Sequence, residues 1–172
     1  MAEGTRERRI RNEAALLREM ATLNRERLRI VALTGDEFRM TLHTPAHGAE
    51  VHSLKLVFAP YFPAVPIEAY LDVPVRHPNV HPVTGFICLW DKHSTGDTVI
   101  EALRQTQRVL SGELRNAEAD HLMQPESLDV EVLVYEPLRL PEGYLLEREA
   151  RGFAGPKRLR LTTWTGWEPV PL

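Results

Sequence analysis

The stretch Arg76–Trp90, RHPNVHPVTGFICLW, carries the only cysteine of the chain, Cys88, with His77, His81 and His93 close to it in sequence. Between Pro74 and Asp97 no hydrophobic period is visible, and Pro78, Pro82, Gly85 and Gly96 interrupt the chain, so a long ordered loop is expected there. Loops of that length in compact domains are disproportionately functional. Three readings of the cysteine compete. Free cysteine is among the most buried residue types, so Cys88 can be a small core residue. As a metal ligand it would join His77, His81 and His93, yet only His77 and His81 form the close pair of which structural zinc sites use two. As a nucleophile it needs a partly exposed thiol able to become a thiolate, and a donor for the oxyanion of a tetrahedral intermediate. Asn79 can supply that donor if the loop doubles back at Gly85. Residue types and spacing leave the three readings open.

Working outward, the segments RLRIVAL, EFRMTLHTP and VHSLKLVFAP each alternate apolar and polar residues, separated by Gly35-Asp36 and by the turn-rich TPAHGAE. With IEAYLDV as a fourth strand between Pro66 and Pro74, they predict a four-stranded antiparallel meander. Ahead of it, from Arg6 to Arg27, Ile10, Ala14, Leu17 and Ala21 follow helical spacing, with Leu28 as a further candidate. Beyond the loop, DTVIEALRQTQRVLSG predicts a second helix capped by Asp97 or Thr98 and ended by Gly112, with Gln107 on its apolar face. A short third helix is expected to begin at Asn116, and a strand-like tail to follow, since Leu128, Val130, Val132 and Val134 alternate with polar positions.

The 172 residues fit one domain with enough core to fold without disulfides or a structural metal. A net charge of -3 gives no electrostatic footprint for nucleic acid. No apolar run is long enough for a signal peptide or membrane span, and a single cysteine makes no internal disulfide, so a cytoplasmic protein that binds neither membrane nor nucleic acid is expected. Arg6, Arg8, Arg9, Arg11 and Arg18 crowd the first helix, either as a solvated face or as a dock for an acidic partner.

The residues around Cys88 resemble the ubiquitin-conjugating enzymes. That family's signature of a His-Pro-Asn triplet, a short turn and Gly-x-Ile-Cys is matched by His77-Pro78-Asn79 and Gly85-Phe86-Ile87-Cys88. Upstream, Phe58, Phe62-Pro63 and Pro66 stand in register with the family's Phe, Tyr-Pro and Pro without a gap up to His77. Downstream, ELRNAEA is similar to the family's Asp-Pro-Leu-Asn-x-x-Ala segment and aligns Glu113 with its acidic residue. The likeness covers about residues 6 to 123. It implies an α+β ubiquitin-conjugating fold for residues 1–125, with residues 126–172 as an extension packed on the same domain.

The resemblance also implies an activity. Cys88 would take a ubiquitin-like protein as a thioester from an activating enzyme and pass it to a lysine of a protein substrate, with no cofactor and no metal. Asn79 would stabilise the oxyanion or hold the loop, while His77, Pro78 and Gly85 would shape it. Glu113, or in competition Asp91, would orient or deprotonate the incoming amine, whose pKa lies ordinarily at about 10.4. Arg6, Arg8, Arg9 and Arg11 would form the dock for the activating enzyme. The departures are one extra residue between Asn79 and Gly85, Trp90 unusually close to the cysteine, and the divergent tail. Together with the arginine bias they look like bacterial relatives from ubiquitin-like conjugation operons, several of them in antiphage defence. The alternatives are a non-catalytic binding module of the same fold and a zinc protein.

Overall fold

A computed structural model describes residues 4–44, 50–90, 93–113, 123–124, 137–142 and 144. Asp91, the third helix at Asn116, the TPAHGAE turn and the alternating tail lie outside the described residues, apart from the turn's two ends, Thr44 and Glu50. Helix α1 (Thr5–Leu23) is followed by strands β1 (Leu28–Thr34), β2 (Glu37–Thr44), β3 (Glu50–Val57), β4 (Glu68–Leu71) and β5 (Phe86–Ile87), and then by helix α2 (Val99–Leu110). The strands lie in sequence order in one antiparallel sheet. The class is therefore α+β, and the sheet has five strands where the sequence predicts four. The fifth arises inside the stretch expected to be irregular, because Phe86 and Ile87 pair with Tyr70 and Ala69 of β4.

Strand alternation puts one face of the sheet inward. Phe38, Met40, Leu42, Leu54, Leu56, Ala69, Leu71 and Ile87 are buried, and they form one core with Leu16, Leu17 and Met20 of α1 and Val99, Ile100 and Leu103 of α2. On the other face Arg39, Lys55, Tyr70 and Phe86 are cross-strand neighbours in a single row. The Lys55 ammonium sits 4.9 Å from the Tyr70 ring centroid, and Tyr70 packs on Phe86. Glu68 accepts a hydrogen bond from the Tyr70 hydroxyl, and burial, helped by that bond and the Glu68 charge, raises the phenol to about 12.

The first helix stops earlier than its apolar stripe suggests. At Asn24 the backbone leaves helical dihedrals, its side-chain amide donates to Met20 O at 2.7 Å, and the amides of Arg27 and Leu28 turn back onto Asn24 O. Leu28 therefore opens β1 and does not extend the helix. Asn24 also exchanges two hydrogen bonds with the Arg139 backbone, beside the buried Leu138, so residues 137–142 lie along the domain.

A buried ion pair joins the two helices. Arg9 and Glu13 of α1 are fully interior, with Arg9 Nε donating to Glu13 Oε1 at 2.8 Å. Glu13 Oε2 accepts from the Val99 amide at 2.8 Å, and Arg9 Nη2 donates to Asp97 O at 3.2 Å. The first contact falls on the opening turn of α2, where backbone amides lack partners within their own helix, and the second on the carbonyl just ahead of its cap. Thr98 and Glu101 complete that end as a capping box, and Tyr144 joins it through its hydroxyl on Thr98 Oγ1. Burial raises the Glu13 carboxyl above its ordinary range even though Arg9 and the Val99 amide oppose the shift, and burial with the nearby Glu101 raises the Tyr144 phenol further.

Removing one member of such a pair strands the other charge in the interior. Glu13→Ala is expected to destabilise the chain by about 3–5 kcal/mol in chemical denaturation, whereas the paired replacement Arg9→Met with Glu13→Leu costs far less. A double variant no more stable than Glu13→Ala would show that the pair does not act as a unit.

Candidate active site

The chain around Cys88 folds back as a tight hairpin. Val80 bridges Ile87, the His81 amide donates to Phe86 O at 2.8 Å, and the Cys88 amide donates to Asn79 O at 2.8 Å. Asn79 therefore stands directly across from Cys88, in an arrangement that puts opposed side chains on one face with Cβ atoms about 5 Å apart. Ile87 and Leu89 take the inward positions, both 1% exposed. Alternation then turns Cys88 away from the core, and its side chain is half-buried. This geometry removes the reading of Cys88 as a core residue.

The extra residue near Pro82 lengthens the tip of this hairpin. The amides of Val83 and Thr84 donate to His81 Nδ1 at 3.2 and 3.1 Å, and the Gly85 amide donates to His81 O at 3.0 Å. The turn is closed by His81 itself, so the arms keep their register and Asn79 stays opposite the cysteine.

Gly85 fixes the hairpin to the sheet. Its φ of 71° lies in the left-handed region, and the Leu71 amide donates to its carbonyl at 2.9 Å. A Cβ built there would stand 1.9 Å from Leu71 O, so no side chain fits between hairpin and β4.

The triplet preceding the hairpin is equally closed. His77 and Asn79 are both fully buried. The Asn79 amide donates to His77 Nδ1 at 3.0 Å, and the Val80 amide donates to His77 O at 3.0 Å. Pro78 O accepts from the amides of Met123 at 2.6 Å and Gln124 at 3.2 Å. Ahead of the triplet, Phe38, Phe58 and Phe62 stack edge to face at 4.7 and 4.9 Å between centroids, with the Arg9 guanidinium 5.8 Å from the Phe62 ring. The aromatic half of the Phe58 to Pro66 register is thus core packing beneath the loop. After the cysteine, Trp90 Nε1 donates to Ile67 O at 2.7 Å and His93 Nε2 lies 3.0 Å from Ala64 O, which tie the following chain to the same loop.

The hairpin thus brings together Cys88, Asn79, His77, Pro78 and Gly85. Glu113 is not part of it: the residue is exposed just beyond α2, where its carboxylate accepts from Arg108 Nε at 3.0 Å. The arginine dock needs correcting. Arg9 is 4% exposed and committed to Glu13, because their i, i+4 spacing lies on the buried side of α1. Arg6 is mostly covered, bonded to Asp36 Oδ1 at 2.9 Å and Phe58 O at 2.7 Å. Arg8 is half-buried, and of the four only Arg11 is exposed. The zinc set does not converge, since His77, His81 and His93 each direct a ring nitrogen at the backbone, and among the described residues no group of three His, Cys, Asp or Glu is placed to hold a metal.

No protein-family model and no curated protein matches the chain. Among solved structures it is similar to the E2 domain of a Toxoplasma gondii ubiquitin conjugating enzyme, at 25% identity over 55% of this chain and 71% of that one, with a TM-score of 0.41. So low a TM-score carries no weight alone, and the functional reading rests on the hairpin.

Gly85→Ala must adopt a left-handed backbone and displace the Leu71 carbonyl, so a loss of more than about 2 kcal/mol is expected. Gly35, at φ 51° with nothing within 4 Å of its built Cβ, is the control. There Ala meets only the backbone strain, about 1 kcal/mol. Equal losses at the two sites, measured by urea denaturation, would contradict the close approach to β4.

Proposed function

We propose that the chain is a ubiquitin-conjugating-like enzyme whose acyl carrier is Cys88. The observation that carries this reading is the register that sets a half-exposed thiol directly opposite a fully buried asparagine within the Phe-Pro, His-Pro-Asn and Gly-x-Ile-Cys framework. A core cysteine would not face outward, and a binding module of this shape has no need of the pair.

In the first step the Cys88 thiolate attacks the thioester carbonyl that joins a ubiquitin-like protein to its activating enzyme. A new S–C bond forms, and the activating enzyme's sulfur leaves as thiolate. In the second step a substrate amine attacks the Cys88 thioester, loses its proton to a base, and forms the C–N bond as Cys88 departs as thiolate. Both steps place negative charge on the carbonyl oxygen. Asn79, across the hairpin from Cys88, is the proposed donor to that oxygen, and its burial with its backbone links to His77 and Cys88 suits it equally to keeping the hairpin in shape. Glu113 is the proposed carboxylate for orienting the amine, which requires it to exchange Arg108 for substrate; Asp91 remains the competing carboxylate for that step. Arg11, with the exposed Arg18, is the part of the first helix open to an activating enzyme. Placement among bacterial antiphage conjugation systems is part of this proposal, and an activating-enzyme gene and a ubiquitin-like gene beside this one are its expected context.

The test incubates the chain with a neighbouring activating enzyme, its ubiquitin-like protein and ATP. Wild type is expected to form a thiol-sensitive adduct, and Cys88→Ser a thiol-resistant ester. Asn79→Ala is expected to load normally and to slow single-turnover transfer to lysine by about 100- to 1000-fold if it serves the oxyanion. No adduct on wild type with its own partners would sink the proposal, and slow transfer accompanied by a matching loss of stability would assign Asn79 to the scaffold alone.

A further inference from the structure

The segment 75–80 carries the buried His77 and Asn79 into the hairpin, and its carbonyls at Val75, Pro78 and Val80 each accept a hydrogen bond. Backbone carbonyls withdrawn from water need partners, and among the described residues sheet pairing reaches this segment only from the β5 side. Gln124, distant in sequence, supplies what the sheet does not. Its side-chain Nε2 donates to Val75 O at 3.1 Å and to Val80 O at 2.7 Å, so both amide hydrogens are used. Its backbone amide, with that of Met123, donates to Pro78 O between them. One side chain therefore spans the chain entering and the chain leaving His77-Pro78-Asn79, and the following backbone pins the middle.

This arrangement constrains the reacting pair. Val80 is the hairpin position between Asn79 and the tip, and it bridges Ile87, the neighbour of Cys88. Fixing Val80 O and Val75 O relative to one another sets the width of the turn that holds Asn79, and Asn79 O in turn receives the Cys88 amide. We infer that Gln124 is a positioning residue: its two-pronged amide holds Asn79 in register with Cys88. What that pair does chemically rests on the conjugating-enzyme reading, but the tie itself does not.

Gln124→Met keeps the side chain's length and volume and removes both donors. In hydrogen exchange on the full chain, the amides of Asn79 and Cys88 are expected to exchange about tenfold faster, the weight of one or two ordinary hydrogen bonds, while amides in α2 keep their rates. Unchanged exchange at Cys88, or equal acceleration throughout the chain, would overturn the inference. The second measurement is a double-variant cycle on single-turnover transfer. Gln124→Met alone is expected to slow transfer about tenfold, and in an Asn79→Ala background to add nothing, because both act through one group. A further tenfold loss in that background would show that Gln124 acts elsewhere. Should wild type carry no thioester at all, the conjugating reading falls, while the exchange result still decides whether Gln124 holds the hairpin.

Discussion

Everything at the cysteine depends on the contact between Gly85 and Leu71. The hairpin arm 86–87 becomes the fifth strand only because the backbone at Gly85 lies against β4 closely enough for the Leu71 amide to reach the Gly85 carbonyl at 2.9 Å. That approach leaves no space for a side chain. Once it is made, strand alternation does the rest: Ile87 and Leu89 go inward, and Cys88 must go out. The exposure of the thiol is thus a consequence of sheet geometry, with a glycine as the part that permits it.

A second lock acts on the other side of the core. The Arg9–Glu13 pair hands a carboxylate to the first turn of α2 and a guanidinium to the carbonyl just before it. Buried pairs of this kind contribute little net stability against an apolar replacement, but they specify geometry, because the charges must meet each other and the orphan amides together. Phe62 lies near the same guanidinium, so the loop ahead of the His-Pro-Asn triplet and the start of α2 share one anchor.

Sequence periodicity carried the regular elements well and the site only in part. The first four strands stand where alternation predicts them, as alternation reports a sheet with one buried face. A two-residue strand has no period to read, so the stretch that holds β5 reads as irregular in sequence. By sequence Arg9 groups with the docking arginines, because charge reads first as solvated surface. The signal that corrects it is present, since Glu13 follows at helical spacing on the stripe of Ile10, Ala14 and Leu17. Gln124 had no such signal, because nothing local says that an amide will reach carbonyls more than forty residues earlier.

The commitments of the histidines bear on why a thioester would persist here. A hydrolytic cysteine site needs an imidazole with a lone pair available to take a proton from the thiol and later from water. His77 and His81 each use Nδ1 as the acceptor of backbone amides, which assigns the proton of the neutral ring to Nε2. In that tautomer neither ring keeps a nitrogen for base catalysis. They close the turns on either side of the Asn79–Cys88 pair, and on the proposed function the amine's proton would go to a group outside the hairpin. On the proposed function, a thiol set out from the sheet, opposite an asparagine and flanked by histidines spent on scaffolding, would hold an acyl group until an amine arrives and would deliver it poorly to water.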